Sequence, residues 1–285
     1  MIRNILIIII LLFALFASCK KETTVKPDKL AVTFEFNENQ QRLDGFGNPS
    51  TVSAGNSAQS PNMKLMSANY VELIPTALTG LGEGEIIYQG AETTAGGATA
   101  INFSEATLVN DGGELTSMLL SDVAPGTYEY VRVSLSYQQG EIDLRASGLD
   151  LKGTLASFLG YNQYITNHTI VNNDVTVNAN RLQGFWAFET QFGISSGQAP
   201  PGATTVPNPI FATSPIPQGS CLVTGKFDPP LVIPNEPNDN ITINLSFSTN
   251  NSFEWKDDNN NGIYEPLDGD TVVDMGVRGL IPTID

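Results

Sequence analysis

Histidine occurs once in this chain and cysteine twice, and 14 Lys and Arg face 30 Asp and Glu across 285 residues, a formal charge of −16 at pH 7. Each shortage disfavours a class of function. Neutralising nucleic-acid phosphates takes clustered Lys and Arg, which argues against a polyanion-binding role. One His and two Cys do not furnish a His/Cys zinc site, soft-metal handling or a framework of several disulfides. Charged residues make up 15% of the chain, below the roughly 25% usual for soluble domains, so Ser, Thr, Asn and Gly fill the polar surface. What is present is enough for a core: 41% hydrophobic residues and 8% aromatics argue against disorder.

The N-terminus reads as an address. Arg3 supplies a positive start, and residues 5–17 form an unbroken apolar run. That run is too short to cross about 30 Å of hydrocarbon and matches the apolar region of a secretory signal peptide. Phe16-Ala17-Ser18-Cys19 closes it. This order resembles a bacterial lipobox, with Phe16 where Leu is usual, and the SCKKE junction is similar to lipoproteins of the Bacteroidota. The resemblance implies a signal peptide at 1–18, cleavage before Cys19, and a diacylglycerol and fatty acid carried on Cys19. It implies an outer-membrane, lipid-anchored location with the bilayer as partner, and leaves periplasmic leaflet or cell surface open. An ordinary cleaved signal with an incidental Cys, or an uncleaved anchor, is the competing reading. Residues 19–29 carry no apolar period and read as the lipidated Cys and a solvated tether.

Beyond the tether, alternation of period two dominates. Leu30, Val32, Phe34 and Phe36 point one way; Val131, Val133, Leu135 and Tyr137 repeat the pattern, as do Ile241, Ile243, Leu245 and Phe247. Ile142 and Leu144 follow Gln138-Gln139-Gly140-Glu141, which predicts a hairpin turning at that short Gly-containing stretch. Weaker strands are expected at 70–74, 85–89, 115–120, 175–179, 184–192, 221–227 and 230–233. One helical spacing stands out, Leu151, Leu155, Phe158 and Leu159 ahead of Gly160, and predicts at most one short helix. Residues 44–64 and the Pro-rich 199–220 read as long irregular loops. No repeat of fixed period is present. The expectation is an all-β, antiparallel β-sandwich or jelly-roll-like domain over residues 30–285, with two smaller sandwiches as the alternative.

One stretch carries chemistry. Residues 257–268 read DDNNNGIYEPLD, matching D-x-[DN]-x-[DN]-G at Asp257, Asn259, Asn261 and Gly262. Ca²⁺ takes six to eight oxygens, and alternate side chains converge on one ion when a loop curls around it. The loop is similar to those of extracellular calcium modules such as dockerins and thrombospondin type 3 repeats. That resemblance implies a structural Ca²⁺ on Asp257, Asn259, Asn261, the Ile263 carbonyl, Glu265 and Asp268, the last being Asp where a longer Glu is usual. Pro266 forbids a helix there, so no EF-hand pair is expected. Residues 228–285 hold eleven acids against Lys256 and Arg278, and a divalent cation would relieve their repulsion. The alternative is a solvated acidic turn whose Asn, Asp and Gly serve left-handed backbone.

Elsewhere the signals are thin. His168 reads as a polar-turn residue, without a G-x-S-x-G elbow to accompany it. Cys221 reads as a buried, inert thiol. Gly80, Gly82 and Gly84 read as a turn. Hydrolysis by paired carboxylates would draw first on Glu189 and Glu254, although no pair is singled out. Trp186, Phe188 and Phe192 read as core, whereas Trp255, Tyr161 and Tyr164 adjoin polar loops and are the candidates for stacking on a ligand. Together these predict a membrane-anchored, non-enzymatic binding or adhesion module with a glycan or surface-protein ligand. The second reading is a carbohydrate-binding accessory lipoprotein of a glycan-uptake system, and a hydrolase is the third.

Overall fold

The computed structural model describes residues 28–44, 47–199, 221–237 and 239–285. Cys19, the signal segment 1–18, most of the tether, and all of the Pro-rich 199–220 segment except Ala199 lie outside them. The described chain is all-β, as expected: among these residues the helical content is two three-residue 3₁₀ turns, at Phe103–Glu105 and Leu120–Asp122.

The organising element is β8, Gly126–Ala146, at 21 residues. At about 3.4 Å per residue it runs roughly 70 Å, several times an ordinary strand. One of its edges pairs with β3, Asn62–Ile74. The other edge is shared: β14, Cys221–Ile233, takes residues 126–135, and β9, Leu149–Phe158, takes 137–146. β12 (Phe185–Thr190) and β13 (Gly193–Gln198) extend the sheet beyond β9, and β4 (Glu85–Gln89) extends it beyond β3.

Three smaller sheets cover this one. β1, Lys29–Asn37, sits between β15 (Ile241–Ser248), which runs parallel to it, and β7 (Glu114–Leu119), with β18 (Leu280–Ile284) outermost. Its alternating Leu30, Val32 and Phe34 pack with Leu245 and Phe247 onto Val131, Val133 and Leu135 of β8. Further along the same β8 face, Tyr137, with Phe158 and Phe185, meets Phe103 and Ile165. Ile165 comes from the sheet β11-β10-β6-β5, comprising β11 (Asp174–Leu182), β10 (Asn162–Thr169), β6 (Ala100–Asn102) and β5 (Glu92–Thr93), and Phe103 from the 3₁₀ turn that follows β6. Side chains alternate faces along a strand, so Ile142 points opposite to Tyr137. On that side it packs with Leu155 and Phe188 against Phe253 and Trp255 of a third sheet. That sheet is β17-β16-β2: β17 (Thr271–Asp274), β16 (Phe253–Lys256) and β2 (Asn56–Gln59).

Four local expectations are corrected. The helix expected at 151–160 is β9: Leu151 and Leu155 are an even number apart, so they also share a strand face, and Phe158 points into the other core. No hairpin turns at 138–141, because β8 runs straight through and Gly140 makes room for Met63, whose Sδ would lie 2.7 Å from a Cβ there. The turn falls at Ser147-Gly148, between the paired Ala146 and Leu149. Both turn residues have positive φ, 51° and 74°, which suits the right-handed twist of the flanking strands. Residues 44–64, expected as loop throughout, contain β2 and the start of β3. The expected strands at 221–227 and 230–233 are one, β14, with a register shift between Lys226 and Leu231.

Candidate functional site

The third sheet does not close fully against the β8–β9–β12 face, and an apolar groove of about 610 Å³ lies between them. β12 builds its floor by alternation: Phe185, Ala187 and Glu189 are buried on the far side, leaving Trp186, Phe188 and Thr190 toward the groove. The rings find room because glycines lie beneath them. A Cβ on Gly197 would stand 2.7 Å from Trp186 Cζ2, and one on Gly153 would stand 2.1 Å from Phe188 Cζ. Glycine inside strands weakens them unless something packs over the bare backbone, as these aromatics do. Phe253, Val272 and Met275 from β16 and beyond, with Tyr264 and Leu267, form the facing wall.

A second cavity of about 880 Å³ adjoins the groove, and Leu144, Leu151 and Tyr264 wall both. Its lining is mixed and includes the charged residues Asp143, Arg145, Asp150 and Lys152. Arg145 Nε lies 2.7 Å from Asp150 Oδ1, and Lys152 Nζ lies 2.8 Å from Asp143 Oδ1 and 3.3 Å from Glu141. The hydrogen bond from Arg145 holds the Asp150 carboxyl below its ordinary range, and that to Asp143 raises the Lys152 ammonium. Gln59 bridges to the Asp143 backbone in both directions, at 2.8 Å each. Trp255 also walls this cavity. It is 1% exposed, and its indole N–H has no acceptor among the described residues.

The acidic loop closes the same end of both cavities. Asp257 is buried; its oxygens accept from Ser57 Oγ at 2.8 Å, Gly262 N–H at 2.7 Å and Asn261 N–H at 3.2 Å. Burial pushes its carboxyl up, but these donors, the Gly262 amide foremost, bring it below the usual value. Glu265 Oε2 accepts from the side-chain amides of Asn259 at 2.9 Å and Asn261 at 2.6 Å, which lower its pKa. Ile263 donates its N–H to Asn261 Oδ1. Asn260, Gly262 and Gly269 take positive φ, as the tight loop requires. Asp268 is exposed and contributes a backbone N–H to the Glu265 carbonyl, so its side chain does not complete the set. Asp270, which the motif does not reach, is buried instead and accepts from the Asp258 and Glu265 amides at 2.9 and 2.8 Å.

These are hard oxygen donors of the type calcium takes. As placed, however, the oxygens of Asp257 and Asp270 accept the loop's own N–H groups, and both Asn amides direct nitrogen toward Glu265. Among the described residues no group of three or more His, Cys, Asp or Glu is arranged to hold a metal ion. An ion at this junction requires the Asn259 and Asn261 amides to turn their oxygens inward.

The other expected site residues scatter. Trp255 is no exposed platform: β16 buries it against Phe253 and Tyr264. Its polar neighbour Glu254 is buried too, in an ion cluster with Arg42 at 2.5 Å and Arg278 at 3.5 Å, Arg278 also reaching Asp274 at 2.7 Å. Tyr161 and Tyr164 lie on or beside β10 and line neither cavity; the Tyr161 hydroxyl donates to Glu92 at 2.6 Å. Trp186 and Phe188 are half-buried rather than core, and Phe192 is 70% exposed at the groove's rim. Glu189 caps a turn, accepting the N–H groups of Val171, Asn172 and Asn173. Cys221 is buried in the first core, as expected.

His168 is no polar-turn residue either. It is buried on β10, edge-on to Phe103, Tyr137 and Phe158, with Nε2 2.7 Å from the Tyr137 hydroxyl. Burial lowers its pKa to about 4. The unfolded chain therefore binds a proton near pH 6.5 that the native state refuses until about pH 4. Stability is thus full above about pH 6.5 and falls as the pH drops toward 4, by on the order of 2–3 kcal/mol from this group. Chemical denaturation at pH 7 and pH 4.5 checks it: the His168→Phe variant loses less stability between the two than the parent chain, and an equal loss overturns the assignment.

Comparison with known protein families, with curated proteins and with solved structures returned no match, which leaves the geometry of the two cavities as the basis for function.

Proposed function

We propose that this chain is a non-enzymatic binding module, held on a bacterial outer membrane by an acylated Cys19, that takes the apolar part of a small ligand into the groove between β12 and the β16–β17 hairpin. The groove is the observation that carries this reading. Protein interiors are close-packed, so about 610 Å³ of open space against Trp186, Phe188, Leu155 and Met275 is surface left for something else to cover. Its volume falls within the roughly 300–1,000 Å³ range of small-molecule sites, which are mostly apolar with a few polar groups. The non-enzymatic reading draws support from the acids: Glu189 and Glu254 are each engaged by structural donors, which suits scaffolding better than proton transfer.

The test is a fluorescence titration with the neutral apolar dye N-phenyl-1-naphthylamine. Saturable binding is expected, about tenfold weaker in Trp186→Ala, since full burial of a large apolar side chain contributes roughly 1.5–3 kcal/mol. Phe192→Ser, at the exposed rim, should weaken it without touching the core. Absence of saturation, or the same affinity in all three proteins, overturns the groove as the site.

The anchor has its own test. Replacing Cys19 with Ser should move the expressed chain from the membrane fraction to the soluble one, because acyl chains contribute about 0.8 kcal/mol per buried CH₂. An unchanged membrane association would refute acylation at Cys19.

For the loop, the proposal is a structural Ca²⁺ on oxygens of Asp257, Asn259, Asn261, Glu265 and the Ile263 carbonyl, with Asp270 in the part first assigned to Asp268. Bound there, the ion would fix the wall that Tyr264 presents to both cavities. Calorimetric titration should give a Kd of roughly 10⁻⁴–10⁻³ M, the range of extracellular modules, and Asp257→Ala should abolish it. No heat at ten millimolar Ca²⁺ would leave the loop a hydrogen-bonded acidic turn.

A further inference from the structure

The groove does not end at its apolar wall. Leu144, Leu151 and Tyr264 line both it and the charge-bearing cavity beside it, so one molecule can lie across the two. We infer that the ligand is a neutral amphiphile: its apolar body lies in the groove and its hydroxyl-bearing head in the cleft. This rests on the groove reading above and names the class of ligand.

Two features of the cleft favour a head of that kind. Its cations are already engaged, Arg145 by Asp150 and Lys152 by Asp143 and Glu141. An anionic head would have to displace a carboxylate from one of these cations, whereas a hydroxyl both donates and accepts and can join either pair as it stands. Net charge adds a further bias against anionic heads, because a chain at −16 repels them. The second feature is Trp255, which lines the cleft and whose buried indole N–H has no acceptor among the described residues. A buried donor left unmade is costly, and a ligand oxygen would satisfy it once the indole shifts toward the cleft.

The chain's two tryptophans divide the experiment, since Trp186 lines the groove and Trp255 the cleft. The probes are decyl maltoside below its micelle concentration, decanoate, decyltrimethylammonium and free maltose. Emission of Trp255 in the Trp186→Phe variant should shift with decyl maltoside and stay fixed with decanoate. Read through Trp186, decyl maltoside should bind the parent chain at least tenfold more tightly than decanoate or maltose. Trp255→Phe should weaken decyl maltoside roughly two- to tenfold, the worth of one hydrogen bond, and leave decanoate unchanged. Lys152→Ala, at an exposed position, should do the same without disturbing the core. Equal binding of all three decyl probes would overturn the head-group inference while the groove reading stands. Tighter binding of the cationic probe would overturn neutrality. Maltose binding as tightly as its decyl derivative would overturn the groove reading itself.

Discussion

The length of β8 is the constraint on which the rest of the structure depends. A strand of 21 residues is longer than any one small sheet can cover, so its two faces and two edges must be shared among several partners. β14 and β9 divide one edge end to end, and two separate sheets divide one face. Valines pack under the first of these and aromatics under the second, so the core changes character along a single strand. Among the described residues the opposite face, beyond Ile142, is covered by the short β17-β16-β2 sheet. Three short strands cannot fill the area that β8, β9 and β12 present, and the groove is what remains.

Two other features shape the walls of that space. Glycines at 153 and 197 lower the sheet surface locally, so Phe188 and Trp186 sit over backbone rather than standing up into the groove. On the other side, the buried Arg42–Glu254–Arg278 cluster ties β16 to the segment after β1 through charges and to Asn56 and Ser53 through hydrogen bonds. Burial alone would raise the Glu254 carboxyl; Asn56, Arg42 and Ser53 hold it below its ordinary value. Removing one member of such a cluster strands a buried charge, typically at about 3–5 kcal/mol. β16 is thus held to β2 and to the segments after β1 and β17 by polar contacts.

The fold class was legible because half-buried strands alternate: Leu30, Val32 and Phe34, or Val131, Val133 and Leu135, admit little else. Where reading failed, a local signal had two solutions. Leu151 and Leu155 satisfy a helix face and a strand face alike, and Gly140 looks like a turn until Met63 is placed over it. Trp255 looked exposed because Glu254, Lys256 and Asp257 flank it, yet Glu254 is buried by Arg42, 212 residues away in sequence. His168 sits among Thr and Asn whose outward direction was visible, while its own inward one depended on Tyr137. The groove left no sequence signature, since residues 142–155, 186–192 and 253–276 meet only after folding. Within the acidic loop the pattern located the buried Asp257 and Glu265 and missed Asp270, which lies two residues past its end.

The acidity of the C-terminal region acquires a structural sense from that loop. Three carboxylates, on Asp257, Glu265 and Asp270, are less than 10% exposed within 14 residues of chain. Desolvation and mutual repulsion both oppose this, and each acid is retained by donors aimed at it, mostly backbone N–H groups and Asn amides. The outcome is a loop whose shape is set by oxygens facing inward. Tyr264 lies between Ile263 and Glu265, with its carbonyl taken by the Arg145 N–H at 2.8 Å. The ring that walls both cavities is therefore positioned by the acids on one side and by the end of β8 on the other. Charge that looked at first like a general shortage of basic residues is, in this region, part of what shapes the site.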